Sequence, residues 1–305
     1  GTLLTIGGVV TGGRPNSDQT TPGINTSLTI KGSGEVTLDA SANTFSGDIV
    51  VDGGGYRVNG AADWGGATIA SSTSKTITLI NGGRLTLAPA LTFNPSNSAS
   101  SAYTLIRVGE GGGTFAIPEG STLQLDDAGQ LYGAGTLTKS GGGTTILSGA
   151  NTYSGLTTVN GGTLQLGRTN ALRTTGSITL NGGTLDLSTF DQTTNVLSLL
   201  GGAITGTGNL NASSYALQSG SIAIALGGAS IPVYKTTGGN VTLSGANTYG
   251  GSTYLQGGSF FVGSSTVLDG GNAIVSGPLG TGLITITSGT GIGTSSATGQ
   301  TLAND

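Results

Sequence analysis

Apolar residues along this chain come in pairs separated by a single residue. Leu28 and Ile30 open the series, followed by Val36 and Leu38, Ile49 and Val51, then Tyr56 and Val58. That spacing puts both members on one face of a β-strand and turns the residue between them the other way. A shorter apolar run, Leu3, Leu4 and Ile6, predicts one more strand near the start. Between the strands a polar residue followed by Gly-Gly recurs, at Asp52-Gly53-Gly54, Asn81-Gly82-Gly83, Asn160-Gly161-Gly162, Asn181-Gly182-Gly183 and Gln256-Gly257-Gly258. Asn-Gly ordinarily signals a two-residue hairpin. Here, however, Gly161, Gly182 and Gly201 follow one another at intervals of 21 and 19 residues. A unit of roughly 20 residues with short strands and tight corners is the size of one turn of a parallel solenoid. The pattern therefore predicts an all-β, right-handed parallel β-helix with coils of about 20 residues.

A longer repeat lies over this rhythm. Gly143 to Gly167 (GTTILSGANTYSGLTTVNGGTLQLG) returns as Gly239 to Gly263 (GNVTLSGANTYGGSTYLQGGSFFVG), and a looser copy spans Gly34 to Val58. Its matched asparagines are Asn43, Asn151 and Asn247; Phe45, Tyr153 and Tyr249 each follow two residues later. These positions read as structural. The asparagines, with Gly161, Gly162, Gly257 and Gly258, are expected to make corners, and the aromatics to support them. Leu147, Val159, Leu164 and Leu166 are expected to fill the interior. Two polar or proline-bearing stretches, 14–23 and 88–102, read as loops or excursions from one continuous domain over 1–305. Each coil buries its inward residues only against its neighbours, so the coil ends should leave strand edges available for self-association.

Composition sharpens the class. With 60 glycines and only 8% charged residues the chain could be disordered, but its regularly placed Val, Ile, Leu and Thr argue for a fold. A net charge of −4 leaves no basic footprint for nucleic acid, and no apolar run is long enough for a transmembrane helix. His and Cys are absent, which removes Ser-His-Asp, Cys-His and His-based zinc chemistry. Met is absent as well, even at position 1, so a processed form or part of a longer chain is expected.

Carboxylates are what remain. Asp126-Asp127 suits a turn, and Asp48 and Asp52 suit a solvated face better than a Ca²⁺ or sugar site. No phosphate loop or dinucleotide fingerprint occurs in strand-turn-helix context, so no cofactor, metal site or catalytic residue is expected.

Where the two strong copies differ, binding becomes conceivable. Tyr254 stands where the first copy has Thr158, and Phe261 where it has Gln165. Both alternate with inward residues and should face outward, where exposed aromatics can stack on a sugar ring or meet a partner. The single Trp64 is either a surface anchor or a core plug.

Over 133–167 and 239–290 the chain closely resembles the autotransporter-associated β-strand repeat of bacterial passenger domains, and over 34–58 it does so more loosely. The resemblance implies a secreted β-helical passenger exposed on the bacterial surface, adhesive or matrix-forming. Three functions follow as expectations: a non-enzymatic surface scaffold or adhesin, a fibre subunit joined end to end by strand addition, and a glycan-binding or glycan-degrading β-helix. The partners to expect are a host or matrix glycan or protein, or a second copy of the chain.

Overall fold

The computed structural model describes residues 3–6, 28–38, 48–60, 76–95, 104–295 and 300–303. Asn43, Phe45, Trp64 and the 14–23 loop lie outside these, as does 96–102 of the second expected excursion. Among the described residues there are 29 strands and no helix, and every strand pairing but one short hairpin is parallel. Contacts divide the chain into two units, 1–155 and 156–305.

In the first unit, parallel pairing groups the described strands into three sets. One set is Leu28–Lys31, Ile49–Asp52, Thr76–Ile80, Leu105–Val108 and Leu131–Tyr132. A second runs Leu3–Ile6, Glu35–Leu38, Gly55–Val58, Gly83–Leu87, Gly113–Ala116 and Leu137–Ser140. A third joins Thr92–Phe93, Thr122–Leu125 and Thr144–Leu147. Alternating residues face inward, and Ile49, Val51, Tyr56, Val58, Leu85, Phe115 and Leu147 are fully buried. Removing such side chains from water is worth about 1.5–3 kcal/mol each, and it is this burial that holds so many short strands together.

The Asn-Gly corner shows why this is no hairpin meander. Asn81 and Gly82 both adopt left-handed φ, 51° and 76°, as a tight hairpin turn would require. Yet the flanking strands do not pair with each other. Thr76–Ile80 lies between Ile49–Asp52 and Leu105–Val108, while Gly83–Leu87 lies between Gly55–Val58 and Gly113–Ala116. The turn directs the chain from one sheet to the next, and the pairing partner comes from the following step.

The second unit repeats this logic. Thr157 pairs with Ile178, Ile178 with Leu197, Tyr215 with Val233, and Val233 with Thr253. A parallel series carries Thr184 to Ala203, Ser221 to Thr242 and Thr242 to Phe261. Val159, Leu164 and Leu166 are fully buried, as the repeat pattern requires.

Register steps lengthen near the end, where Thr253 pairs with Ile284 and Ser259 with Gly291. The added residues leave the stack as an antiparallel hairpin of Val267–Leu268 and Ile274–Ser276. At the tip of this hairpin Asp269 Oδ1 accepts from the amides of Gly271 and Ala273, and Asn272 takes a φ of 67°, which folds the chain back on itself.

Candidate functional site

Among the described repeat residues, Asn247 is fully buried in the connection between strands Asn240–Leu243 and Thr253–Leu255, and its φ is not left-handed. Its Oδ1 accepts from the amide of Leu226 at 2.8 Å, and its Nδ2 donates to the carbonyl of Pro278 at 2.6 Å. Its own backbone exchanges two 3.0 Å bonds with Gly277. One amide side chain thereby joins the step before it to the base of the lateral hairpin. Asn151, in the first unit, is also buried, and its Nδ2 donates to the Gly149 carbonyl at 3.0 Å.

Gln192 does similar work in the same series. It is fully buried, and its amide both accepts from Leu172 N–H and donates to Leu172 C=O at 3.1 Å. Gln192 pairs in register with Leu210, and Leu210 with Leu226, whose N–H is held by Asn247. Two buried amides thus bracket a pair of leucines, Leu210 and Leu226, along this series. An unpaired buried N–H or C=O costs about 1–3 kcal/mol, which is why a bifunctional amide suits such a position.

The two described aromatics of the repeat are core side chains. Tyr153 and Tyr249 are buried, and Tyr249 packs at a tilt against Tyr215, with ring centroids 6.1 Å apart. The Tyr249 hydroxyl lies 2.8 Å from Thr253 Oγ1, which in turn donates to the Leu279 carbonyl at 3.0 Å. Thr253 has one hydroxyl proton and gives it to that carbonyl, so Tyr249 is the donor between the two. Burial pushes the Tyr249 phenol well above its usual range, and pushes the Tyr215 phenol up to about 12.

Two lysines at matching repeat positions were not singled out by sequence. Lys139 and Lys235 are both fully buried. Lys139 Nζ donates to the carbonyls of Ser140 at 2.8 Å and Gly141 at 3.1 Å, and Lys235 Nζ donates to that of Thr237. Each ammonium closes the corner that follows its own strand. Burial lowers both lysines, Lys139 to about 8. A lysine within an apolar strand just before a Gly-rich corner was the available signal.

The Gly-Gly corners are close approaches. Gly162 and Gly258 have left-handed φ of 60° and 66°. A Cβ on Gly257 would sit 2.7 Å from the Thr236 carbonyl oxygen, and one on Gly258 only 2.0 Å from that of Gly239. Gly161 is half-buried beside Gly162 and, like Gly257, keeps an ordinary φ.

Tyr254 and Phe261 are half-buried, each alternating with buried neighbours (Thr253 and Leu255; Phe260 and Val262). The structure does not bring them together as a pair. Tyr254 stacks instead on Tyr234, one step earlier, with centroids 5.1 Å apart and planes 8° from parallel. Phe261 pairs in register with Thr242 and Gly293, and its ring lies 3.0 Å from where a Cβ on Gly293 would be. Following the register back from Phe261 leads through Thr242, Ser221, Ala203 and Thr184 to Thr163, two positions before Gln165. The repeat alignment and the strand register diverge there, and Gln165 bonds to Asp186 instead. Tyr234 was missed by sequence reading, although it sits 20 residues before Tyr254, one step away.

Asp48 and Asp52, the candidates for a Ca²⁺ or sugar site, and Asp126 of the expected turn are engaged in bridging. Asp48 accepts from Thr76 N–H at 2.8 Å, Asp52 from Asn81 Nδ2 at 2.7 Å, and Asp126 from Asn94 Nδ2 at 2.7 Å. Lys31 adds an ion pair to Asp52 at 4.0 Å. Among the described residues, no group of three or more potential metal ligands comes together.

Comparison with known proteins agrees with the repeat. The passenger-associated-transport-repeat model matches at 28–55, 137–166 and 234–260. The adhesin BmaC autotransporter of Brucella suis biovar 1 (strain 1330) is 36% identical over 133 residues. That match takes in 43% of this chain but 4% of the adhesin, so the chain spans a small part of its relative's length. No solved structure matches the chain significantly. Over its described residues the chain is therefore all-β and parallel-stranded, it matches the passenger-associated-transport-repeat at three places, and it is of the secreted and cell-surface-exposed kind.

Proposed function

We propose that this segment is a non-enzymatic, adhesive and scaffolding stretch of a surface passenger, built as a right-handed β-helix with coils of about 20 residues that lengthen at lateral excursions. The observation that carries the reading is the coincidence of three passenger repeats with similarity to a protein named as an adhesin. The bridging roles of Asp48, Asp52 and Asp126 support a non-catalytic surface, since carboxylates engaged between steps are poor candidates for acid-base work. Function here is geometric. Parallel pairing satisfies the backbone from step to step, the interior supplies stability, and the outward Thr, Ser, Asn and Tyr side chains are left to meet a partner.

The test is display of residues 1–305 on a non-adherent bacterium through a heterologous anchor. Binding to host-cell monolayers or matrix-coated wells should rise at least several-fold over display of an unrelated solenoid of equal length. Equal adherence would overturn the reading.

A second reading is a fibre subunit joined end to end, in which the parallel strands of one copy offer backbone groups that another copy can pair with by strand addition. Filaments in electron micrographs of the purified segment at micromolar concentration would favour it, and a monomer at every concentration would remove it.

A further inference from the structure

We infer that Tyr234 and Tyr254 form a stacking platform for a neutral, gluco-configured glycan, with the bound sugar ring lying on the free face of Tyr234 above Ala216 and Ser198. This deepens the adhesive reading above and rests on it for its biological setting.

The argument starts from register. Thr158 pairs with Thr179, Thr179 with Ser198, Ser198 with Ala216, Ala216 with Tyr234, Tyr234 with Tyr254 and Tyr254 with Thr285. The strand residues flanking this column, such as Leu197, Leu199, Tyr215, Val233 and Lys235, are buried. The column is therefore the outward face of one sheet. Its side chains are small and hydroxylated until Ala216, where it rises abruptly to two phenol rings.

Stacking of the two rings uses the face of Tyr234 that looks toward Tyr254. The opposite face looks back along the column toward Ala216, whose methyl is too short to cover it. Tyr234 is accordingly 40% exposed, whereas Tyr254, backed by its neighbour, is half-buried. A ring locked by a partner and open on its far side is pre-organised, so binding on it costs little conformational freedom. The step in height from Tyr234 down to Ala216 forms a ledge with an aromatic wall and a low floor.

The chemistry of the ledge selects its occupant. The column Thr158, Thr179, Ser198, Ala216, Tyr234, Tyr254 and Thr285 carries no charged side chain, and Lys235 beside it points inward. An anionic ligand would gain nothing there. A pyranose with equatorial hydroxyls presents an apolar face of C–H groups to an aromatic ring and hydroxyls at its rim. Ser198 and Ser214, both half-buried on the outward side, and the Tyr234 phenol supply donors and acceptors for that rim. Leu200, 38% exposed and two residues beyond Ser198 on the same strand, adds an apolar border. Stacking on an aromatic ring with a polar tip is the type of contact that suits a half-wet ligand.

The test is calorimetric titration of the intact 305-residue chain with cellohexaose, laminarihexaose and, as the anionic arm, a hexamer of galacturonate. At least one neutral hexaose should bind with a millimolar or tighter Kd, and the galacturonate hexamer should bind at least tenfold more weakly. Tyr234→Ala should weaken the neutral ligand at least tenfold, Tyr234→Trp should retain it, and Tyr254→Ala should weaken it less than Tyr234→Ala. Ala216→Trp, which roofs the ledge without removing either tyrosine, should abolish binding. Circular dichroism melting of each variant separates loss of the site from loss of the fold. Absence of neutral binding, stronger binding of the anionic hexamer, or wild-type affinity in a folded Tyr234→Ala or Ala216→Trp variant would each overturn the platform. Concentration-dependent association of the chain that disappears in Tyr234→Ala would overturn it too, in favour of a protein contact. Adherence of displaying cells that survives Tyr234→Ala would leave the adhesive reading standing without this site.

Discussion

The ammonium of Lys235 lies 2.8 Å from where a Cβ on Gly258 would be, so a buried charge in one step occupies the space that a glycine leaves open in the next. Lys235 sits at the end of its strand and Gly258 at the corner one step later, on the path to strand Ser259–Val262. The two residue types are complementary, and that explains why the second glycine of the Gly-Gly corner is required.

Gly258→Ala should be strongly destabilising. It would strain a φ of 66°, and its methyl would meet both Lys235 Nζ and the Gly239 carbonyl oxygen. A loss of roughly 2–4 kcal/mol is expected, more than the ~1 kcal/mol of backbone entropy that favours alanine. Gly238→Ala provides the contrast, since nothing lies within 4 Å of its added Cβ. Urea unfolding followed by circular dichroism should show a clear midpoint shift for the first and almost none for the second.

Asn247→Leu should break the link between Leu226 and Pro278. Both backbone groups are held by that one side chain. Leaving them buried and unpaired should cost about 2–4 kcal/mol. Native-state hydrogen exchange reads the effect locally, with faster exchange at the Leu226 amide and at Asn247 and Gly277, which bond to each other. An unchanged Leu226 amide would count against the bridging role.

Thr253→Val should release the Tyr249 hydroxyl and the Leu279 carbonyl from their shared partner while keeping shape. A loss of about 1–3 kcal/mol follows from two disrupted buried hydrogen bonds. In the double variant with Tyr249→Phe the combined loss should be less than the sum of the single losses, because the two groups belong to one chain of bonds. Thermal melts of the four proteins complete the cycle, and strict additivity would argue against it.

Stability should rise between pH 8 and 10. Burial lowers Lys139 to about 8 in the folded chain, below its ordinary value of 10.5. Across that window the unfolded chain holds a proton that the folded chain has released, so raising pH favours folding. Below about pH 8 both states carry the charge and the desolvation cost is fully present. Lys235 is lowered in the same direction. Above pH 10 the raised phenols of Tyr215 and Tyr249 act the other way, since the unfolded tyrosines then lose protons that the folded ones keep. Melting temperature against pH should therefore climb from 8 to 10, and Lys139→Met should flatten the climb.

Much of this architecture is legible from residue order, because strand period and corner composition are local properties. The pairs Ile49/Val51 and Leu164/Leu166 announce their inward faces by spacing alone, and both are fully buried. Asn81-Gly82 announces a tight turn, and its left-handed φ values follow. What residue order could not settle was the partner of each strand. The same Asn-Gly turn fits a hairpin or a solenoid corner, and only the pairing of Gly83–Leu87 with Gly113–Ala116 decides between them.

Asn151 and Asn247 mark the limit from the other side. Their repetition was visible, but a corner residue and a buried bridge leave the same trace in sequence. Phe261 is a further case. Its alignment with Gln165 is a fact of the repeat, yet the register places Thr163 in its column, because the intervening strands do not advance in equal steps.

By itself, then, the sequence determined an all-β chain with alternating faces, glycine corners and a passenger-type repeat, since each of these depends on neighbours a few residues apart. The tertiary structure decided which residues share a column, which amides join two steps, and that Tyr254 rests on Tyr234 and not beside Phe261. Those relationships join positions about 20 to 30 residues apart through space, by parallel register that no short stretch of chain encodes.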